Sequence, residues 1–96
     1  MKKVFITRAY LYRLRNEVPF QPLFRKLGWP HKRVGNQLRF VCPACGESQT
    51  SVNPATNLAR CFRCELNWNP IDFTIKATNC EFTQAIAQLE ELLPNP

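Results

Sequence analysis

The sequence predicts a small α+β fold in which short antiparallel strands hold a metal site and α-helices flank a small β-sheet. Three observations point there. Cys42-Pro-Ala-Cys45 and Cys61-Phe-Arg-Cys64 are separated by fifteen residues, a C-x2-C-x15-C-x2-C spacing that suits one tetrahedral ion. Short runs around these cysteines alternate apolar and polar residues, the period of a strand. Segments on both sides carry apolar residues at helical spacing with Pro, Gly and Asn at the ends. Two cysteines three apart close a tight turn and present both sulfurs to one ion at about 2.3 Å, so two such turns joined by a hairpin make a zinc ribbon.

The metal site comes first because it sets the rest. Cys42, Cys45, Cys61 and Cys64 are the predicted ligands of one structural Zn2+, with iron in the same cage and two disulfides as the competing readings. Four thiolates leave no open coordination position, which argues for structure over catalysis. Gly46 suits the sharp turn after Cys45, since glycine accepts positive φ. Glu65 stands at the matching place after Cys64, so that turn must differ or be strained.

Ninety-six residues read as a single domain, 1–96: a basic helical segment over 1–36, the ribbon over 37–68 and closing helices over 69–96. Five cysteines, four of them placed for a metal, fit a reducing compartment, and the expected location is the cytoplasm. No apolar run approaches the ~18 residues needed to span a bilayer, and Arg8 interrupts any signal-peptide reading of Met1-Lys2-Lys3. Charge is lopsided. Residues 1–40 hold ten Lys/Arg against Glu17, a net +9, while residues 41–96 sum to −3. Such a basic half favours a polyanionic partner, nucleic acid above all; a merely solvated basic helix is the bland alternative.

In chain order, Phe5 to Val18 reads as an amphipathic helix. Pro19 and Pro22 open a second, with Phe20, Leu23, Phe24 and Leu27 as core and Gly28 as its stop. Trp29-Pro30 starts an irregular connection that ends in a Gly35-Asn36 turn. Gln37 to Cys42 is a strand with Leu38, Phe40 and Cys42 on one face and Arg39 on the other. Thr50–Asn53 and Leu58–Phe62 are further strands. If all three pair, Arg39, Arg60 and Phe62 share one basic and aromatic surface; parity leaves open whether Phe62 is instead buried under the helices. Asn69 as N-cap, Pro70 at N1 and Asp72 at N3 start a helix running to about Ala77, with Ile71 and Ile75 inward. A last helix places Phe82, Ala85, Ile86, Leu89 and Leu93 on one face, and Cys80 before it reads as a small buried hydrophobe.

From Cys42 onward the chain resembles the zinc-binding domain of bacterial-type DNA primases, the Cys-His-Cys-Cys finger. The likeness rests on Cys42-Pro-Ala-Cys45, on Val52-Asn53-Pro54 followed after six residues by Cys61-Phe-Arg-Cys64, on Asn69-Pro-Ile-Asp-Phe73, and on Cys80-Glu-Phe82 with Ala85, Ile86 and Leu89. Cys45 stands where the family usually has His, as in phage-type primase-helicases. Glu65 and Trp68 replace glycines that usually follow the second pair.

The resemblance implies a module that binds single-stranded template DNA during primer synthesis in DNA replication. Its expected contacts are Arg39, Arg60, Arg63 and Trp68, with Lys32 and Arg33 as flanking phosphate contacts. No acidic cluster for catalytic Mg2+ is visible, Asp72 being the sole aspartate, so the expected partner is a separate or C-terminally linked primase catalytic domain, with a helicase as a further candidate. His31, in a basic loop, has no evident catalytic companion. Met1 and the extra basic helix favour a standalone finger over a fragment. The rival readings are a small duplex-DNA-binding regulator and a protein-interaction module of a replication or mobile-element complex.

Overall fold

A computed structural model describes residues 6–94. Two helices, α1 (Arg8–Glu17) and α2 (Phe20–Leu27), lead into a hairpin of β1 (His31–Val34) and β2 (Gln37–Phe40). A second antiparallel sheet follows, β3 (Thr50–Asn53), β4 (Leu58–Cys61) and β5 (Leu66–Trp68), in the order β3-β4-β5. Helices α3 (Pro70–Thr78) and α4 (Phe82–Glu90) close the chain. The α+β ribbon is as expected, but its strands form two sheets of two and three strands. None of the helices described is long and apolar enough to cross a membrane.

Local chemistry accounts for most boundaries. The Thr7 hydroxyl caps α1 by accepting the Tyr10 N–H at 3.1 Å. The helix ends at Glu17, since Val18 before Pro19 is held extended. The expected start at Phe5 lies outside the described residues. Helix α2 stops at Gly28, whose φ of +63° allows the Trp29 N–H to reach Phe24 O at 2.8 Å. The Asn69 side chain accepts the Asp72 N–H at 2.8 Å and starts α3 behind Pro70. A capping box between Glu81 and Gln84 starts α4. That helix ends at Glu90, short of the expected stop before Pro94, and Phe82 in its first turn is exposed where burial was expected.

The core lies between the helices and the inner faces of both sheets, and Phe73 of α3 is its centre. Its ring meets Phe24, Trp29, Phe40 and Phe20 at centroid distances of 5.1, 5.6, 5.7 and 5.9 Å, in edge-on geometries. The apolar pattern of α3 singles out Ile71 and Ile75, whereas the fully buried centre is Phe73. Ile71 is buried as expected, and Ile75 is half-buried.

Strand β1 is a finding that corrects the irregular connection. His31-Lys32-Arg33-Val34 has little strand propensity, but backbone pairing with β2 around Gly35-Asn36 makes it extended. Strands β2 and β3 lie side by side, and a buried side chain joins the two sheets there. Buried Thr50 accepts the Phe40 N–H at 2.9 Å, and its hydroxyl donates back to Phe40 O. A side chain thus replaces the ladder that would have merged β2 with β3. Asn57, at φ +53° in the β3–β4 turn, fastens that turn to the helices by donating to Arg15 O and Val18 O at 2.9 and 2.8 Å.

Candidate functional site

Two turns of matching build bring four sulfurs together. In the first, the Ala44 and Cys45 amides donate to Cys42 Sγ at 3.3 and 3.4 Å; in the second, the Cys64 amide donates to Cys61 Sγ at 3.4 Å. The Gly46 N–H then closes onto Cys42 O at 2.9 Å, and the Glu65 N–H onto Cys61 O at 2.8 Å. All four Sγ atoms lie within 4.8 Å of one another. Tetrahedral geometry with Zn–S bonds of about 2.3 Å requires sulfurs about 3.8 Å apart. Cys42–Cys64 and Cys45–Cys61 stand at 3.8 and 3.7 Å. These spacings fit one ion and are too long for disulfides, whose sulfurs bond at about 2.0 Å. Cys42 and Cys61 are buried, Cys64 is half-buried and Cys45 faces solvent.

The surroundings prepare these thiols unequally. Burial pushes the Cys42 thiol up. Burial would raise Cys61 as well, but the Cys64 amide, the Cys42 thiol, the Arg63 amide and the Cys45 thiol together bring it down to about 7. Cys64 is pushed up to about 12, first by its hydrogen bond with Cys45 and then by desolvation. A cation among the sulfurs reverses the penalty on the protonated pair, so metal binding displaces protons and acid opposes it.

The expected strain after Cys64 is real. Glu65 adopts φ +60°, the same left-handed turn that Gly46 makes at +80°. A non-glycine residue there costs roughly 1–2 kcal/mol, partly offset by the greater freedom glycine has in the unfolded chain. Glu65→Gly is therefore expected to stabilise the zinc-loaded protein by about 0.5–1 kcal/mol. Chemical denaturation at fixed zinc measures it; an unchanged or lower midpoint denies the strain.

The basic candidates divide between two faces. Arg60 sits on the outer face of the central strand β4, with Ser51 and Asn67 directly opposite it on either side. Its guanidinium reaches Asn67 Oδ1 at 3.3 Å and lies 5.8 Å from the centre of the Phe62 ring, which is 58% exposed. These groups line a shallow cleft of about 430 Å³, and exposed Arg63 follows Phe62 in the chain. Arg39 is elsewhere. It stands opposite Lys32 on the β1–β2 hairpin and lines a separate cleft, so the expected single surface of Arg39, Arg60 and Phe62 does not form. Arg33 turns to the other side of the hairpin, where it donates to Gln21 Oε1 at 2.8 Å. His31 packs on Phe24 and its Nδ1 donates to Trp29 O at 2.7 Å, a structural role.

The CHC2 zinc finger model, a zinc ribbon of DnaG type, matches residues 6–94. The chain belongs to this family. No curated protein matches the sequence closely enough to count as a relative. In this CHC2 finger the second ligand is Cys45, and the sulfur spacing shows that thiolate completing the set. Trp68 is the correction. It is only 7% exposed, because β5 pairs Trp68 with inward-facing Ala59, so the ring covers the core and offers no face to a base. Phe62, whose parity leaves open exposure beside Arg60 or burial under the helices, is the aromatic ring that stays exposed there. The signal was present: Phe62 shares the parity of Arg60, and recognising β5 as a strand would have turned Trp68 inward.

Proposed function

We propose that this CHC2 finger binds single-stranded template DNA during primer synthesis, on the outer face of β3-β4-β5. The observation that carries the reading is the exposed Phe62 ring beside Arg60 on a zinc-held sheet. An exposed ring can stack on an unpaired base for roughly 1–3 kcal/mol. Arg60 and Arg63 can offset phosphate charge, while Ser51 and Asn67 offer polar groups to a base edge. The metal preorganises this face, since both Phe62 and Arg63 lie between the ligands Cys61 and Cys64. Phosphoryl transfer is then the work of a separate or linked catalytic domain, because Asp72, the sole aspartate, belongs to no acidic cluster: among the described residues the group of side chains placed to share an ion is the four cysteines.

Fluorescence anisotropy with single-stranded DNA, duplex DNA and RNA across a salt series tests this. Phe62→Ala is expected to weaken single-strand binding at least fivefold, in line with the loss of one stacked base. Arg60→Ala should lower affinity and reduce the salt slope by about one unit, with zinc content unchanged in both variants. Parental affinity in both variants, or a preference for duplex, sinks the reading.

A further inference from the structure

The second cleft has its own chemistry. Across the outer face of the β1–β2 hairpin lies a cleft of about 570 Å³, lined by Lys32 and Arg39 together with Val34, Val41, Pro30 and Ser48. The register sets Lys32 directly opposite Arg39. Like charges at one cross-strand position repel, their β-carbons being about 5 Å apart, so an isolated hairpin gains nothing from this pair. No carboxylate relieves it: among the described residues the ion pairs are Arg13–Glu17 and Lys26–Glu91. Arg39 spends one guanidinium nitrogen on Gln37 Oε1, at 3.1 Å, while its Nε is buried without a hydrogen-bond partner. A buried donor without a partner is costly, and a ligand that let the guanidinium rearrange onto an anion would remove that cost. Beside the charges, Val34 stays 44% exposed, an apolar surface for a sugar or base.

We propose that this cleft binds a free nucleoside triphosphate, independently of the strand on the β3-β4-β5 face. Two cations at one cross-strand position of a single cleft match a ligand that concentrates its charge in one group. A single strand carries one charge per nucleotide, spread along its length, and suits a track of cations better than a pair. The volume is also that of a small-molecule site. Lys32 and Arg39 take the phosphates, with the apolar side of the cleft against the nucleoside.

Isothermal titration of the zinc-loaded protein with ATP, adenosine and inorganic tripolyphosphate tests the proposal, with oligothymidylate as the strand probe. ATP is expected to bind, tripolyphosphate to compete with it, and adenosine to compete far more weakly. Lys32→Gln, at an exposed position, should weaken ATP at least tenfold and leave oligothymidylate affinity within twofold. Arg39→Gln should do the same, with its melting curve recorded to confirm folding. Three results overturn the proposal: no ATP binding at millimolar concentration, parental ATP affinity in Lys32→Gln, or equal losses of ATP and oligothymidylate affinity. The last would make the cleft part of the strand track.

Discussion

Cys61→Ser is expected to abolish stoichiometric zinc binding and to leave the chain largely unfolded. Cys61 is fully buried, ends the central strand β4, and is both a ligand and a member of the hydrophobic core. Serine keeps the volume roughly but replaces a soft thiolate with a hydroxyl that ionises far less readily, so the tetrahedral set becomes three. Zinc contributes on the order of 10 kcal/mol in small modules, as large as the whole stability of a domain this size. Metal analysis and far-ultraviolet circular dichroism together check the outcome; native helix and strand signal in a zinc-free variant contradicts it. Cys45→His is the matching control. Cys45 faces solvent, so an imidazole at this position has room, and the variant is expected to keep one zinc and a folded spectrum. Acid supplies a second check on the same site. The Cys61 thiol is brought down to about 7 while those of Cys42 and Cys64 are pushed up, so the Cys61 thiolate is favoured above about that pH and lost below it. Zinc affinity should therefore already fall with acid above neutral pH, where Cys42 and Cys64 must give up protons to the solvent, and fall more steeply below about 7, where Cys61 is protonated too; the released protons should be measurable in weak buffer.

The parts of this structure that were legible in the sequence are those written in short-range chemistry. The four ligands follow from spacing alone. Pro19 and Gly28 bracket α2, and Asn69-Pro70 opens α3, because capping and backbone restriction act over three or four residues. The start of β4 at Leu58 and the full extent of β3, Thr50–Asn53, agree with the alternation read there. What escaped was set by partners distant in sequence. His31–Val34 is extended only because β2 lies beside it. Trp68 turns inward because its register partner is Ala59, a pairing that shows only once the three residues of β5 are seen as a strand beside β4. Phe73 became the hub of the core because both sheets and α2 converge on α3, an outcome of topology. The division into two sheets had the same origin, and it separated Arg39 from Arg60 although both have the outward parity assigned to them.

Thr50→Val is expected to destabilise the protein by about 2–5 kcal/mol, an effect out of proportion to an isosteric change. Thr50 is 1% exposed, and its hydroxyl serves both the N–H and the carbonyl of Phe40. Valine fills the same space with a methyl group and leaves two buried backbone groups without a partner, each costing roughly 1–3 kcal/mol. Position makes the loss matter for the metal. Thr50 pairs in register with the ligand Cys61, while Phe40 stands two residues before the ligand Cys42. The hydroxyl therefore joins the strands that deliver the two buried ligands, and breaking the joint frees them to move apart. Denaturant titration at fixed free zinc measures the loss; a midpoint equal to the parent's means the sheets are held by other contacts. Zinc concentration then separates this variant from Cys61→Ser. An ion that binds only the folded chain stabilises it in proportion to the logarithm of its concentration, so excess zinc should restore Thr50→Val toward the native spectrum. Cys61→Ser, lacking a ligand, should gain little from the same addition.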